Sequence, residues 1–280
     1  GASRPCHAAP DRERQVTPVL ALDAVSRRYR RRGDVVTALD GVSLSIAAGE
    51  TLGLVGPSGS GKSTLARLAM ALERPDAGQV RLEGVDLATC RPAALRRLRA
   101  RWSMVFQDST AAFNPRASVF DAVADPLRVH RRGTHRERAA RVAALLAEVD
   151  LDPALASRPV HAISGGQRQR VAIARALATD PALIVLDEAV SSLDTVRQDR
   201  ILRLLVDVQR RANVAYLFIS HDLAAVHAIA HRTAVLDRGR IVESGPTENL
   251  VRAPENPVTK ALVAAVPVLT SRAPPRVTPG

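Results

Sequence analysis

The stretch "ETLGLVGPSGSGKSTLARLAMAL", residues 50–72, constrains this chain more than any other. The apolar run "ETLGLV" reads as a buried strand. It meets Gly56, Pro57, Ser58, Gly59, Ser60, Gly61, Lys62 and Ser63, an eight-residue match to GxxxxGK[ST], and then the helical segment "KSTLARLAMAL". Strand, glycine-rich turn and helix in that order are the context that gives this motif its meaning. The glycines let backbone N–H groups curl around a β-phosphate, Lys62 reaches the β and γ oxygens, and Ser63, with Thr64 beside it, brings a hydroxyl to Mg²⁺. Such a loop belongs to an α/β fold in which helices wrap a parallel sheet.

A second apolar strand, "ALIVLDEA", ends in Asp187 and Glu188. A carboxylate at the carboxyl end of a strand can stand beside the Mg²⁺ that the loop holds, and the next one can orient or deprotonate a water. Away from a phosphate loop, the same pair would read as a solvated acidic turn. Between the two motifs lies "ISGGQRQRVAIARAL", residues 163–177. Val171, Ala174 and Leu177 recur on one face of a helix, and Ser164, Gly165, Gly166 and Gln167 form its start. A serine N-cap followed by glycines leaves N–H groups and the positive dipole end facing outward, which is an anion site. The chain thus carries two helix starts of phosphate type.

Around these motifs, "VLALDAVSRRY" and "LDGVSLSIAAG" predict antiparallel strands, and "GQVRLEGVDL" a hairpin. Helices are expected at 165–178, 196–211 and 222–230, strands at 182–187 and 214–219, and a closing hairpin in "TAVLDRGRIVESG". Residues of about 108–160 change character, with Asn-Pro, Asp-Pro and the amphipathic "HRERAARVAALLAEVDL", and predict a helical insertion.

"SGGQ", the phosphate loop and the "LIVLDE" strand together resemble the ATP-binding subunit of an ABC transporter, over residues of about 22 to 268. The resemblance implies a phosphate-loop NTPase (RecA-like) core with an antiparallel β subdomain and an inserted α-helical subdomain. It implies residues 1–18 as a linker or tail, 19–252 as the ATP-binding domain, and 253–280 as a family tail with a disordered end. By the same resemblance, Gln107 in "MVFQD" is a ligand near Mg²⁺ and the hinge to the helical part. Asp194 ends the "SSLD" loop, and His221 in "FISHDL" contacts the γ-phosphate and holds Glu188 and water in place. Tyr29 stacks on adenine, or else is a packed or surface tyrosine. The resemblance further implies two ATP-binding domains facing head to tail, with Ser164–Gln167 of one closing over the ATP of the other. Neither site is complete alone.

The string "VFQDSTAAFNPRASVFDAVADPLRVH" is similar to the dipeptide, oligopeptide and nickel importer ATPases. So is the tail "RAPENPVTKALVAAVPVL", although Asn256-Pro257-Val258-Thr259 departs from their Pro-His-Pro-Tyr-Thr segment at two positions. That subfamily implies two transmembrane permease subunits, an extracytoplasmic solute-binding protein acting indirectly, and a peripheral position on the cytoplasmic face of the membrane. Many of its members carry a C-terminal cysteine cluster for an iron–sulfur centre, and this C-terminal stretch has no cysteine. "RPCHAAP" at 4–10 looks like the end of such a cluster from a preceding ATPase domain, so a tandem ATPase and an unrelated N-terminal stretch both stand as readings.

Composition bears on the competing class, a soluble ABC-type ATPase acting on nucleic acid or ribosomes. The net charge is +12, nearly all arginine, with Lys62 and Lys260 the only lysines. A GC-rich genome accounts for that usage; anionic phospholipid and nucleic acid are alternative explanations. Nucleic acid is disfavoured because the arginine runs at 27–32, 91–101 and 128–138 are almost free of interleaved aromatics. No apolar run approaches a membrane span. Two cysteines, Cys6 and Cys90, form no disulfide framework and suit a reducing cytosol.

Overall fold

The computed structural model of the chain describes residues 17–31, 34–106, 113–114, 116–191 and 193–266. In chain order, β1 (Leu20–Arg31) and β2 (Asp34–Ile46) pair antiparallel, and β3 (Thr51–Val55) leads into α1 (Lys62–Ala69). Strands β4 (Ala77–Leu82) and β5 (Val85–Asp86) complete a four-stranded sheet of order β2-β1-β4-β5. Then come α2 (Pro92–Leu98), β6 (Trp102–Val105), α3 (Val119–Val129), α4 (His135–Glu148) and α5 (Gly165–Leu177). The rest comprises β7 (Leu183–Asp187), α6 (Thr195–Ala212), β8 (Ala215–Ile219), α7 (Leu223–Ile229), β9 (Arg232–Asp237), β10 (Arg240–Pro246), α8 (Thr247–Arg252) and α9 (Pro257–Ala264).

The second sheet has the order β10-β9-β3-β8-β7-β6 and is parallel except for its β10 edge. All five residues of β3 and of β8 are buried. Their continuous apolar runs follow from a sheet covered on both faces. Alternation still sorts the side chains. Ile184, Leu186, Tyr216 and Phe218 join the core with α5, α6 and α7, whereas Leu183, Val185, Leu217 and Ile219 join the core with α1 and the antiparallel sheet.

Helices α3 and α4 fall within the expected insertion, and both open with capping boxes, Ser118 with Asp121 and Thr134 with Glu137. Each box satisfies two N–H groups that a helix start leaves over. Helix α9 begins the expected tail: Glu243 accepts from the N–H of Glu255 (3.1 Å) and Asn256 (2.9 Å), and Val258, Leu262 and Val263 pack against the main core.

Candidate active site

Strand register assembles the site. In the parallel sheet Leu54 of β3 pairs with Ile219 of β8, and Ile219 pairs with Asp187 of β7. The glycine-rich loop starts at Gly56, the acidic pair ends at Glu188, and His221 follows Ile219 by two residues. All three therefore leave the carboxyl edges of adjacent strands, where open α/β sheets bind their ligands.

The loop is shaped by its neighbours. Gly56 (φ +155°) and Gly61 (φ +114°) adopt backbone that side chains avoid, and a Cβ would lie 2.0 Å from the Leu236 carbonyl oxygen at Gly56 and 2.4 Å from that of Ala38 at Gly61. The β9–β10 turn braces the loop: Gly239 N–H donates to Ser60 O (2.9 Å) and Asp40 N–H to Gly239 O (2.8 Å). Pro57 O also accepts from Ser60 N–H (3.2 Å), Ser58 and Gly59 lie exposed at the tip, and a Cβ on Gly59 would meet nothing within 4 Å. Lys62 is buried, and its Nζ donates to Gly56 O (2.8 Å) and Pro57 O (2.9 Å). Burial lowers the Lys62 pKa, against the pull of Glu188 and Asp187. No side chain caps α1, Ser63 is exposed and Thr64 buried in its first turn.

Burial pushes the Asp187 carboxyl up, Glu188 beside it adds to the rise, and Lys62 and Arg67 oppose it. Glu188 has φ +50°; its N–H donates to Ile219 O (2.9 Å) and its carbonyl accepts from the Ser191 hydroxyl (2.9 Å). His221 Nδ1 lies 3.3 Å from Glu188 Oε1. Asp222 after it caps α7 and accepts from Gln198 Nε2 (2.9 Å), which ties this turn to α6.

A metal could use Ser63 and Asp187. No cluster of three or more acidic, histidine or cysteine side chains fit for a metal exists among the described residues. That donor set suits Mg²⁺, which takes one or two protein ligands together with substrate phosphates. Glycines held by backbone, an uncapped helix start and a buried lysine fit a triphosphate.

Tyr29 sits on β1 opposite Val36. Its hydroxyl donates to Glu73 Oε2 (2.6 Å), and the Arg27 guanidinium lies 4.9 Å from the ring centroid. Arg27 also pairs with Glu73 (3.1 Å) and Asp76 (2.9 Å), so a network that sequence reasoning missed covers one ring face. Asp194 caps α6 by accepting from Arg197 N–H (3.0 Å). Gln107 lies outside the described residues, as do Cys6 and the far C-terminal end.

Helix α5 starts with a full capping box. Ser164 Oγ accepts from Gln167 N–H (3.3 Å), and Gln167 Oε1 accepts from Ser164 N–H (2.9 Å). The Ser164 hydroxyl proton stays available to donate. A Cβ on Gly166 would meet nothing within 4 Å, and one on Gly165 only Arg168 Nη2 at 3.9 Å. Gln169, a turn further on and buried, donates from Nε2 to Ala189 O (2.6 Å). Sequence reasoning passed over it; its signal is a polar residue within the buried stripe of α5. A cleft of about 310 Å³ opens between β6, α3 and α5, with exposed Leu72 and Phe106 and the basic His130 and Arg175 on its walls.

Fold and site together define a phosphate-loop ATPase. A family model described as ABC transporter matches residues 39–191. A Brucella ovis protein, provisionally named a peptide import ATP-binding protein, is 43% identical over 251 residues, 90% of this chain and 79% of that protein. The glutathione import ATP-binding protein GsiA of Escherichia coli O6:H1 is 47% identical over 258 residues, 90% of this chain, which spans 41% of GsiA. Among solved structures, the dimeric post-hydrolysis state of the ATP-binding cassette MJ0796, bound to ADP and Pi, superposes with TM-score 0.73 at 29% identity, covering 81% of this chain and 98% of that one. The chain belongs to the ABC transporter family and is one of its ATP-hydrolysing cassettes.

Proposed function

We propose that this cassette powers import of peptides through a membrane permease, from the cytoplasmic face. The observation that carries the ATPase half is the convergence of Lys62, Asp187, Glu188 and His221 on the carboxyl edges of three adjacent strands. Peptide as the solute is supported by the name of the Brucella relative, with nickel-type solutes the other reading of the subfamily resemblance. No helix among the described residues is long and apolar enough to cross a membrane, so the pathway falls to two permease subunits, fed by an extracytoplasmic solute-binding protein. The cleft beside α3, with its exposed Phe106 and Leu72, suits a short apolar permease helix.

In this reading the α1 start and Lys62 hold the β- and γ-phosphates, with Gly56 to Thr64 as the cradle. Lys62 exchanges its two loop carbonyls for phosphate oxygens. Ser63, Asp187 and Gln107 would hold Mg²⁺, which would supply positive charge to offset that of the phosphates. Glu188 accepts a proton from the attacking water, and His221, within reach of that carboxylate, keeps it aimed. Tyr29 stacks on the adenine. Ser164, Gly165, Gly166 and Gln167, with Asp194, serve the ATP of a second cassette, the same or a paralogue, across a head-to-tail interface; the open space at Gly166 leaves room for it.

Glu188→Gln tests the mechanism. ATP binding should persist, turnover should fall about a hundredfold or more, and an ATP-bound cassette pair should accumulate in light scattering. Full ATPase activity would place the base elsewhere, and loss of activity without pairing, with the correct partner present, would refute the shared site. Lys62→Ala should abolish tight nucleotide binding or turnover. ATP-driven uptake of labelled peptide into proteoliposomes holding the co-purified permease tests the solute.

A further inference from the structure

The loop after β7 carries the proposed base on left-handed backbone, which non-glycine residues adopt uncommonly. Glu188 stands at φ +50°. Among the described residues, the hydrogen bonds that hold the segment include Glu188 N–H to Ile219 O (2.9 Å), Ser191 N–H (3.2 Å) and Ser191 Oγ (2.9 Å) to Glu188 O, and Gln169 Nε2 to Ala189 O (2.6 Å). The first three bind the loop to β8 or to itself. The fourth comes from another element, helix α5, twenty positions away in the chain. Gln169 is 3% exposed and Ala189 2% exposed, so water does not substitute for that bond.

We propose that Gln169 is a positioning residue for Glu188: its amide locks the Ala189 carbonyl to α5 and so sets where the neighbouring carboxylate stands. Gln169 is itself buried. Ala189 O belongs to the peptide between Ala189 and Val190, so Gln169 acts through the Ala189 backbone, which in turn restricts how the Glu188–Ala189 peptide can lie and hence where the carboxylate projects. An acceptor buried without its donor is strongly disfavoured, so loss of the amide should let the loop turn Ala189 O away and carry Glu188 off its line with His221. The proposal rests on the reading of Glu188 as base.

Two variants of the full chain test it. Gln169→Leu keeps the bulk and removes the donor; kcat should fall about tenfold while ATP affinity stays within about twofold, because the phosphate loop is untouched. Gln169→Glu keeps the shape and makes the donor titratable. Burial raises the pKa of such a carboxyl. Below that pKa the neutral acid can donate to Ala189 O, and above it the carboxylate repels the carbonyl. Activity relative to the parent should therefore decline as pH rises, a limb absent from the parent profile. Gln169→Leu at parental kcat, or Gln169→Glu tracking the parent at every pH, overturns the proposal. If Gln169→Leu does not fold, the pH profile of Gln169→Glu decides alone. Glu188→Gln in parallel separates the two ideas: if it is inactive while the Gln169 variants match the parent, only the positioning role fails, and if it stays active, the reading of the base fails.

Discussion

Helices α1 and α5 both begin where glycine meets serine, yet the two starts are built in opposite ways. Helix α1 has no side-chain cap, and Gly56 and Gly61 of the loop that leads into it are crowded by the backbone of Leu236 and Ala38. Helix α5 caps itself through Ser164 and Gln167, and nothing in its own chain presses on Gly166. At α1 the fold itself demands glycine at Gly56 and Gly61, and under the proposed function the donors a helix start leaves over go to the phosphates of ATP. At α5 the fold demands only the cap. A glycine with open space and ordinary backbone weakens its own helix; under the proposed function its smallness makes room for the ATP of a second cassette. Under the proposed function, the difference separates a phosphate cradle shaped within the chain from a surface that closes over the ATP of a second cassette.

The largest effect should come from Gly56→Ala. Its Cβ has no room before the Leu236 carbonyl, and the chain should lose on the order of 3 kcal/mol or more, seen as a thermal midpoint lower by about 6–10 °C together with lost ATP binding. A folded, ATP-binding Gly56→Ala would break the contrast at its α1 end.

Gly166→Ala tests the other end. Stability should hold or rise, by up to about 1 kcal/mol from helix propensity, while ATPase activity with the correct partner falls about tenfold or more. Undiminished activity would mean that the open space serves no partner.

Asp187→Asn sharpens the α1 side through charge. Burial and Glu188 raise the Asp187 pKa, so its ionised form opposes folding. In the nucleotide-free chain the variant should melt at a higher temperature than the parent at neutral pH. A group with a raised folded-state pKa favours folding below its unfolded pKa and loses that benefit as pH rises through the folded one. The advantage of asparagine should therefore vanish in acid, below the usual aspartate range, and grow as pH climbs. An advantage that is independent of pH would exclude this cause.

Ser164→Ala should show the smallest change, about 1 kcal/mol from the lost cap, a midpoint lower by about 2–3 °C. A larger loss would mean that α5 depends on its start more than the capping box explains.

Much of the fold was legible. "TLGLV", "LIVLD" and "AYLFI" are unbroken apolar runs of strand length, which a sheet covered on both faces requires. Neither α2 nor α8 is assigned from the sequence; α2 fully buries none of its seven residues and only Leu95 and Leu98 lean on the core, so its apolar stripe is too narrow to read. Helix α9 is hidden in the sequence because its apolar residues run together without a clear period, and its tie to Glu243 is made across the fold. Within the site, the phosphate loop, the acidic pair and the α5 start were visible as local strings. The Arg27–Glu73 support of Tyr29 was not, since its members lie 44 and 46 positions apart.

The sequence by itself determined the chemistry available at each place: a glycine turn for phosphate, a lysine for charge, two carboxylates at a strand end, a serine to cap a helix. Each of these is a property of residues adjacent in the chain, where spacing alone sets reach. The tertiary structure alone decided which of them meet. Parallel register brought Leu54, Ile219 and Asp187 side by side, the β9–β10 turn closed on the phosphate loop, and the packing of α5 set Gln169 against Ala189. Those contacts join segments far apart in the chain, and they exist because burying both faces of the sheet leaves each strand and helix a single place to go.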